Sequence, residues 1–208
     1  MIKLLFKFIY KILEIPFIYD YYQNLVSTKN TWSTVFKNFI DTSEDLIVLD
    51  CGCGTSKYRE LIDAKKYIGL DYNSNYIEEA NKKFPNDTFK VADLTKLQPN
   101  EFEKVDRIIL LGIIHHLDDV ESRLLINKLF NLLNRNGVIY TLDPLFISVE
   151  KPSDRIANFV ASKDRGRYVR KEEEYLKLFS PKIKKIEKRV FNNLLRIPFY
   201  HLGLSVRK

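Results

Sequence analysis

Glycine and acidic residues directly follow one apolar run of strand length in the chain. Residues 46–49 have the composition of a β-strand and lead through Asp50 into Gly52 and Gly54. Glycine tolerates left-handed backbone conformations and lets a ligand approach the main chain closely. A strand that passes through such a turn into a helix offers free backbone N–H groups, so the segment predicts a nucleotide-like binding turn. The third glycine typical of pyrophosphate binding is absent, which weakens a dinucleotide interpretation.

Polar residues also close the following apolar runs. Asp71 ends the run at 67–70, about 20 residues after Gly52, where an acid typically binds ribose hydroxyls. Asp93 ends the run at 88–92. The carboxyl ends of parallel strands meet at one edge of a sheet, so we expect these acids around one ligand.

A fourth apolar run, residues 105–111, leads through Gly112 into His115 and His116. Imidazole titrates near neutral pH, so either ring could take a proton from a reacting hydroxyl. The alternative is a structural pair that binds the backbone at the strand end. The sequence leaves both interpretations open.

The predicted elements alternate in type, which indicates βαβ units and a parallel sheet with helices on both faces. Residues 2–13 and 17–40 are also predicted as helical, divided at Pro16, and Pro144 is expected to end the fifth strand. The strands are predicted at 46–50, 67–71, 88–92, 105–111 and 137–143, the helices near 56–63, 74–83 and 119–133, a helical insertion at 150–180, and a final strand pair at 183–191 and 200–206.

The chain resembles the class I S-adenosylmethionine-dependent methyltransferases. The resemblance rests on residues 48–55, 69–71, 91–94, 111–118 and 132–139. It implies an α/β, Rossmann-like sheet of seven mostly parallel strands with an antiparallel last strand, helices on both faces and an N-terminal helical extension. It also implies one domain over 1–208, with a helical cap at 1–40, a cofactor-binding core at 41–145 and a substrate-side insertion with a C-terminal β-hairpin at 146–208.

S-adenosyl-L-methionine is the cofactor that the resemblance implies. Asp50 would support the glycine turn and the methionine amino group, Asp71 would bind both ribose hydroxyls, and Asp93 would accept from the adenine amine. Tyr19 would reach the methionine carboxylate, although it could equally be a packing aromatic. The other implied cofactor-site residues are Gly52, Cys53, Gly54, Tyr72, Leu94 and Leu111.

The acceptor site is expected at the same edge of the sheet. If the last strand is antiparallel, its beginning brings Arg196, Tyr200 and His201 to the acceptor, while Arg165, Arg167 and Arg170 close the mouth. Arginine suits a carboxylate or phosphate on the acceptor, and the alternative is surface ion pairing with residues 172–174.

We therefore expect methyl transfer to a small-molecule or lipid-linked acceptor, at oxygen, with His115 or His116 as base. An RNA or protein methyltransferase and a non-catalytic cofactor-binding partner stay open as alternatives. The fourth strand ends in Leu111, Gly112 and Ile113, without the Pro-Pro motif of adenine or glutamine amino-group methylation. The fourth strand end also lacks the cysteine that covalent attack on a pyrimidine would need. The sequence has no basic patch interleaved with aromatic residues, so it gives no sign of nucleic-acid binding.

Composition adds expectations about environment and partners. The two cysteines, Cys51 and Cys53, lack metal-binding spacing, so we expect no metal site and reduced thiols in the cytoplasm. Residues 151–208 carry the excess positive charge behind the net +7, which fits either an anionic partner or a solvated face. Residues 1–13 have a lysine at every fourth position among apolar residues, which fits peripheral membrane contact, packing on the sheet edge, or a homodimer contact.

Overall fold

The molecule is built on one twisted sheet of eight strands. This computed structural model describes residues 15–28, 31–180, 183 and 185–208, and only the backbone of Tyr19. The strands are β1 Ser43–Cys51, β2 Ala64–Asp71, β3 Thr88–Val91, β4 Val105–Leu111, β5 Leu133–Phe146, β6 Arg170–Lys171, β7 Lys185–Phe191 and β8 His201–Arg207. Their order in the sheet is β3-β2-β1-β4-β5-β8-β7, with β6 paired to β5 off this path. Strands β1 to β5 run parallel, β8 runs antiparallel between β5 and β7, and this confirms the predicted fold class.

Helices cover both faces of the sheet. The described helices are α1 Pro16–Val26, α2 Thr31–Asn38, α3 Ser74–Lys83, α4 Asp119–Leu132, α5 Pro152–Ala161 and α6 Glu172–Leu176. Side chains alternate across each strand, so Val48 packs with α2 and α3 on one face while Leu49 packs with α4 on the other. A capping box of Asp118 and Glu121 begins α4 directly after the histidine pair.

Two local predictions differ from the structure. The helix predicted near 56–63 is only a 3-10 turn at Arg59–Leu61. The single helix predicted over 17–40 is interrupted at Ser27, which forms a β-bridge with Leu195. Pro16 occupies the first turn of α1, where a missing N–H costs nothing, and the helix predicted at 2–13 lies outside the described residues.

Pro144 lies inside β5 and does not end it. Strand β4 already ends opposite Leu142, so no β4 partner needs the N–H that Pro144 lacks. The hydroxyl of Tyr175 donates to the Pro144 carbonyl at 2.8 Å, and pairing continues where Leu145 donates to the carbonyl of Tyr200 at 2.9 Å. Strand β5 therefore extends past the edge where the other parallel strands end.

No helix in the described part of the chain has the length and apolar character needed to cross a membrane. The prediction for residues 1–13 lies outside the described residues.

Candidate active site

The turn after β1 is a tight cradle that depends on glycine. Gly52 and Gly54 have φ of +85° and +56°. The N–H groups of Gly52 and Cys53 both donate to the carbonyl of Leu70, at 2.7 and 3.0 Å, which ties the turn to the end of β2. A Cβ on Gly52 would lie 2.1 Å from Cδ1 of Ile113. The cradle therefore has no room for a side chain at this position.

Asp71 braces this cradle from the neighbouring strand. Its buried carboxylate accepts from the N–H of Gly54 through Oδ2 and from the N–H of Asn73 through Oδ1, both at 2.9 Å. Burial raises the pKa of Asp71, and the hydrogen bonds from Asn73 and Gly54 oppose that shift. Each carboxylate oxygen can accept a second hydrogen bond, so the group can support the turn and still bind ligand hydroxyls.

Asp50 lies one strand away and is paired with a buried tyrosine. The hydroxyl of Tyr67 donates to Asp50 Oδ2 at 2.6 Å. Burial is the main reason that the pKa of Asp50 is raised to about 7; the Tyr67 bond lowers it and the charge of Asp71 raises it further. The carboxyl thus titrates at neutral pH, where a nearby ligand cation would favour its charged form.

The remaining predicted cofactor residues follow the same edge of the sheet. Asp93 is exposed after β3, where its Oδ1 caps a 3-10 turn by accepting from the N–H and hydroxyl of Thr95. Tyr72 is exposed beside Asp71, and Leu94 and Leu111 are half-buried. Cys53, whose thiol donates to the carbonyl of Gly54, belongs to the cradle itself.

Helix α1 contacts the segment after the cradle through Asp20 and Gln23. Thr55 donates its hydroxyl to Asp20 at 2.7 Å, and Tyr58 donates to Gln23 at 3.0 Å. Lys83 of α3 pairs with Asp20 at 3.1 Å. The side chain of Tyr19 lies outside the described residues. Sequence analysis missed Asp20, although it was the one acidic residue on a helix predicted to cover the site.

His115 is buried between two carboxylates. Its Nδ1 lies 2.8 Å from Oδ1 of Asp143 and its Nε2 lies 3.1 Å from Oδ1 of Asp164. Burial alone would lower the pKa of His115, but the bonds to Asp143 and Asp164 outweigh burial and raise the pKa to about 9. At neutral pH the ring is therefore protonated and has no lone pair with which to take a proton.

His116 lies beside His115, but its pKa is shifted in the opposite direction. The two rings lie 4.2 Å apart between centroids. Desolvation of the ring, followed by the charge of His115, lowers the pKa of His116, although the residue as a whole is exposed. His116 is therefore neutral at pH 7. Among the described residues, no cluster of three or more His, Cys, Asp or Glu side chains is arranged to hold a metal ion.

Arg170 does not point to an acceptor, contrary to its predicted role. Its side chain is buried, and all three of its guanidinium nitrogens donate within the protein. They donate to Asp119 and to the carbonyls of Ile114, Leu117 and Tyr168, and Nη2 also lies 2.8 Å from the Asp119 carboxylate. The predicted alternative, pairing with residues 172–174, is not what the structure shows either.

The other predicted acceptor residues are dispersed. Arg196 donates from Nε to the carbonyl of Ser27 at 3.0 Å and lines a cavity of about 280 Å3 with Trp32 and Lys57. Tyr200 donates its hydroxyl to Asp154 at 2.9 Å. Burial is the main cause that lowers the pKa of His201 to about 4. Arg165 is half-buried and Arg167 exposed, in the loop that carries Asp164.

Asp143 and Asp164 were missed by sequence analysis. Asp143 carried the signal used elsewhere, an acid near the carboxyl end of an apolar strand, but the adjacent Pro144 was taken as the strand end. Asp164 carried no comparable signal, because its contact with His115 depends on how the insertion folds back.

Comparisons with known proteins agree with this geometry. Residues 48–137 match a family described as a methyltransferase domain. An uncharacterized methyltransferase from Anoxybacillus flavithermus is 30% identical over 128 residues, which cover 61% of this chain and 59% of the relative. A SAM-dependent methyltransferase from Methanosarcina mazei has the same fold, with a TM-score of 0.60, 17% identity and coverage of 83% of this chain and 96% of that one. The N-methyltransferase NodS from Bradyrhizobium japonicum, solved with S-adenosyl-L-homocysteine, gives a TM-score of 0.64, 13% identity and coverage of 86% and 85%.

Proposed function

We propose that this chain is a class I S-adenosylmethionine-dependent methyltransferase and that it methylates a small-molecule or lipid-linked acceptor at an oxygen atom. The matched methyltransferase domain and the similar methyltransferases support the first part of the proposal. The observation that carries the proposal is the cradle of Gly52 and Gly54 braced by Asp71. It places a close-approach backbone and a buried hydrogen-bond acceptor at the edge where ligands of such sheets bind.

The residues at this edge fit S-adenosylmethionine. Asp71 has acceptor capacity for the ribose hydroxyls, and Asp50 offers a carboxylate to the methionine amino group. The bound cofactor would supply a methyl group already activated on a sulfonium. The protein then has to align the acceptor, exclude water and, for a hydroxyl acceptor, receive its proton.

His116 is the better candidate for receiving that proton. A base must hold a free lone pair at the working pH, and His116 is neutral at pH 7. His115 is protonated and bonded at both ring nitrogens, so it serves better to hold the loop. An oxygen acceptor is favoured because a hydroxyl, unlike a neutral amine, needs this base.

The covering of the site favours a small or lipid-linked acceptor. Helix α1 contacts the segment after the cradle through Asp20, and the loop with Asp164 lies over His115. Phe17, Tyr21 and Leu25 are exposed at four-residue intervals along α1. That apolar stripe follows directly on the amphipathic pattern of residues 1–13 and would suit contact with a lipid surface.

A labelling experiment tests the proposal. The protein is incubated with S-adenosylmethionine carrying a 13C-methyl group and with a cell extract separated into small molecules, lipids, RNA and protein. We expect label in the small-molecule or lipid fraction, with the NMR shift of an O-methyl group and none with the Asp71→Ala variant. Label in RNA or protein, an N-methyl shift, or no transfer by a protein that binds S-adenosylhomocysteine would each overturn it.

A further inference from the structure

The loop of residues 164–170, here called the clasp loop, is fastened to His115 by both side chain and backbone. Asp164 Oδ1 lies 3.1 Å from the Nε2 atom of His115, and the N–H of Tyr168 donates to the His115 carbonyl at 2.9 Å. Gly166 packs on the ring so closely that a Cβ there would lie 1.9 Å from Cδ2 of His115. The loop therefore rests directly on this one histidine.

The other side of His115 is fixed to the sheet. Asp143 Oδ1 accepts from the His115 backbone N–H at 3.1 Å and lies 2.8 Å from Nδ1. A neutral imidazole has one N–H and can donate to only one carboxylate, whereas an imidazolium donates to both. The bridge between Asp143 and Asp164 is therefore complete only when the ring carries both protons.

We infer that His115 acts in its protonated form as a positioning residue that fastens the clasp loop over the acceptor side of the site, and that loss of its proton releases the loop. The link to the acceptor rests on the proposed function. The fastening itself rests only on the contacts of His115.

The charges around His115 determine the pH at which the clasp loop is released. Facing groups are Asp143 from β5, Asp164 and Arg165 from the clasp loop, His116 from its own segment and His201 from β8. The pKa of His115 is raised from 6.5 to about 9. A raised histidine pKa stabilises the clasped state fully below pH 6.5, and that stabilisation is lost as the pH rises through 9.

Two neighbouring histidines and Asp164 titrate outside that range. His116 and His201 have lowered pKa values and are neutral throughout it. Burial opposes ionisation of Asp164, but the bond to His115 lowers its pKa overall, so its charge is lost only in acid. A change between pH 7 and 10 therefore reports on His115.

Arg170 should keep the opening local. Its four donated hydrogen bonds hold the end of the clasp loop to Asp119 and to the carbonyls around the histidine pair. None of these bonds involves a ring nitrogen of His115, so this anchor persists when His115 deprotonates. We therefore expect residues 164–168 to open while β6 stays paired.

Limited proteolysis measures this opening directly, because trypsin cleaves after Arg165 and Arg167 within the clasp loop. Cleavage rates are measured from pH 7 to 10 and divided by the rate for a synthetic peptide of residues 160–172. We expect the wild-type ratio to be low at pH 7 and to rise about tenfold or more as the pH passes 9. The His115→Gln variant should be cut rapidly already at pH 7, with no such step.

Matched variants distinguish the effect of losing the His115 proton from a general loosening of the loop. His116→Gln should keep the wild-type profile, since His116 does not bridge the two carboxylates. Gly166→Ala should loosen the loop at every pH by pushing on the ring. If His115→Gln does not fold, Asp164→Asn removes one end of the same bridge and should show the same loss of protection and of the pH step.

The outcome is independent of any acceptor. A flat wild-type profile, or full protection in both His115→Gln and Asp164→Asn, would overturn the inference. Affinity for S-adenosylhomocysteine is measured by calorimetry on the same proteins and should change less than about threefold in either variant. A loss of that affinity in the wild type would count against the proposed function while leaving the clasp profile interpretable.

Discussion

Oδ2 of Asp71 accepts a hydrogen bond of 2.9 Å from the N–H of Gly54, so one carboxylate joins the end of β2 to the turn after β1. The group expected to bind the cofactor is therefore also the group that shapes its cradle. Substitution at this position removes both functions at once, which makes its effect larger than that of an exposed strand-end acid such as Asp93.

Replacement of Asp71 by alanine should weaken binding of S-adenosylhomocysteine by at least about 1.5 kcal/mol, the scale of a lost charge-assisted hydrogen bond. Isothermal titration calorimetry measures the change. Asp71→Asn keeps one carbonyl oxygen and should lose less. Equal affinity in wild type and Asp71→Ala would remove Asp71 from the cofactor site.

Cofactor affinity should fall as the pH drops below about 7. The pKa of Asp50 is raised to about 7, mainly by burial, so the carboxyl is increasingly protonated below that pH. Only the carboxylate attracts the methionine amino group, and each pH unit below 7 should cost close to tenfold in affinity. Asp50→Asn retains an acceptor for Tyr67 and should bind weakly with a flat profile between pH 5 and 7. A wild type without this slope would argue that Asp50 does not face the amino group.

Replacement of His116 by alanine should lower turnover roughly 100-fold, the usual contribution of a general base, while cofactor affinity stays nearly unchanged. Turnover is measured with the acceptor fraction that takes the methyl label. Comparable losses of turnover and cofactor binding would instead identify His116 as structural.

Arg170 and Arg167 lie in the same loop, and replacing each of them tests whether Arg170 stabilises the fold while Arg167 does not. Arg170→Ala removes a buried side chain and leaves the three carbonyls without their donor, and it should destabilise the protein by about 3 kcal/mol or more. Arg167 is exposed, so Arg167→Ala should leave stability within about 0.5 kcal/mol. Urea unfolding gives both values, and equal stability of the two variants would contradict the structural assignment of Arg170.

Residues 1–13 should be dispensable for cofactor binding but required for attachment to lipid. This prediction rests on the lysines at positions 3, 7 and 11 and on the exposed stripe of Phe17, Tyr21 and Leu25 that follows. Flotation with anionic vesicles compares the full chain with a chain starting after residue 13. A full-length variant with the three lysines changed to glutamate controls for length. Identical flotation of all three proteins would rule out this attachment.

The order of strands and helices could be predicted from the sequence, because each strand is an apolar run whose ends are marked by neighbouring polar or glycine residues. Residues 105–111 agree with β4 at both ends, and 74–83 agree with α3. Their limits depend on local signals such as the Asn73 cap. The edge location of Asp50, Asp71 and Asp93 followed from the same alternation.

The side-chain partners were not accessible, because they come from segments distant in sequence. Arg170 was interpreted as a ligand residue because nothing near it in the chain shows that Ile114, Leu117 and Asp119 would use its donors. The pairing of His115 with Asp143 required β5 to continue through Pro144, which the usual behaviour of proline argues against.

The position of β8 inside the sheet imposes an order on folding. Strand β7 precedes β8 in the chain, yet it joins the sheet only through β8, which lies between it and β5. While residues 201–207 are unfolded, the chain therefore displays unpaired strand edges on β5 and on β7. Such edges are templates for association with other chains. A chain that is cut after residue 195 should consequently aggregate more readily than the full chain.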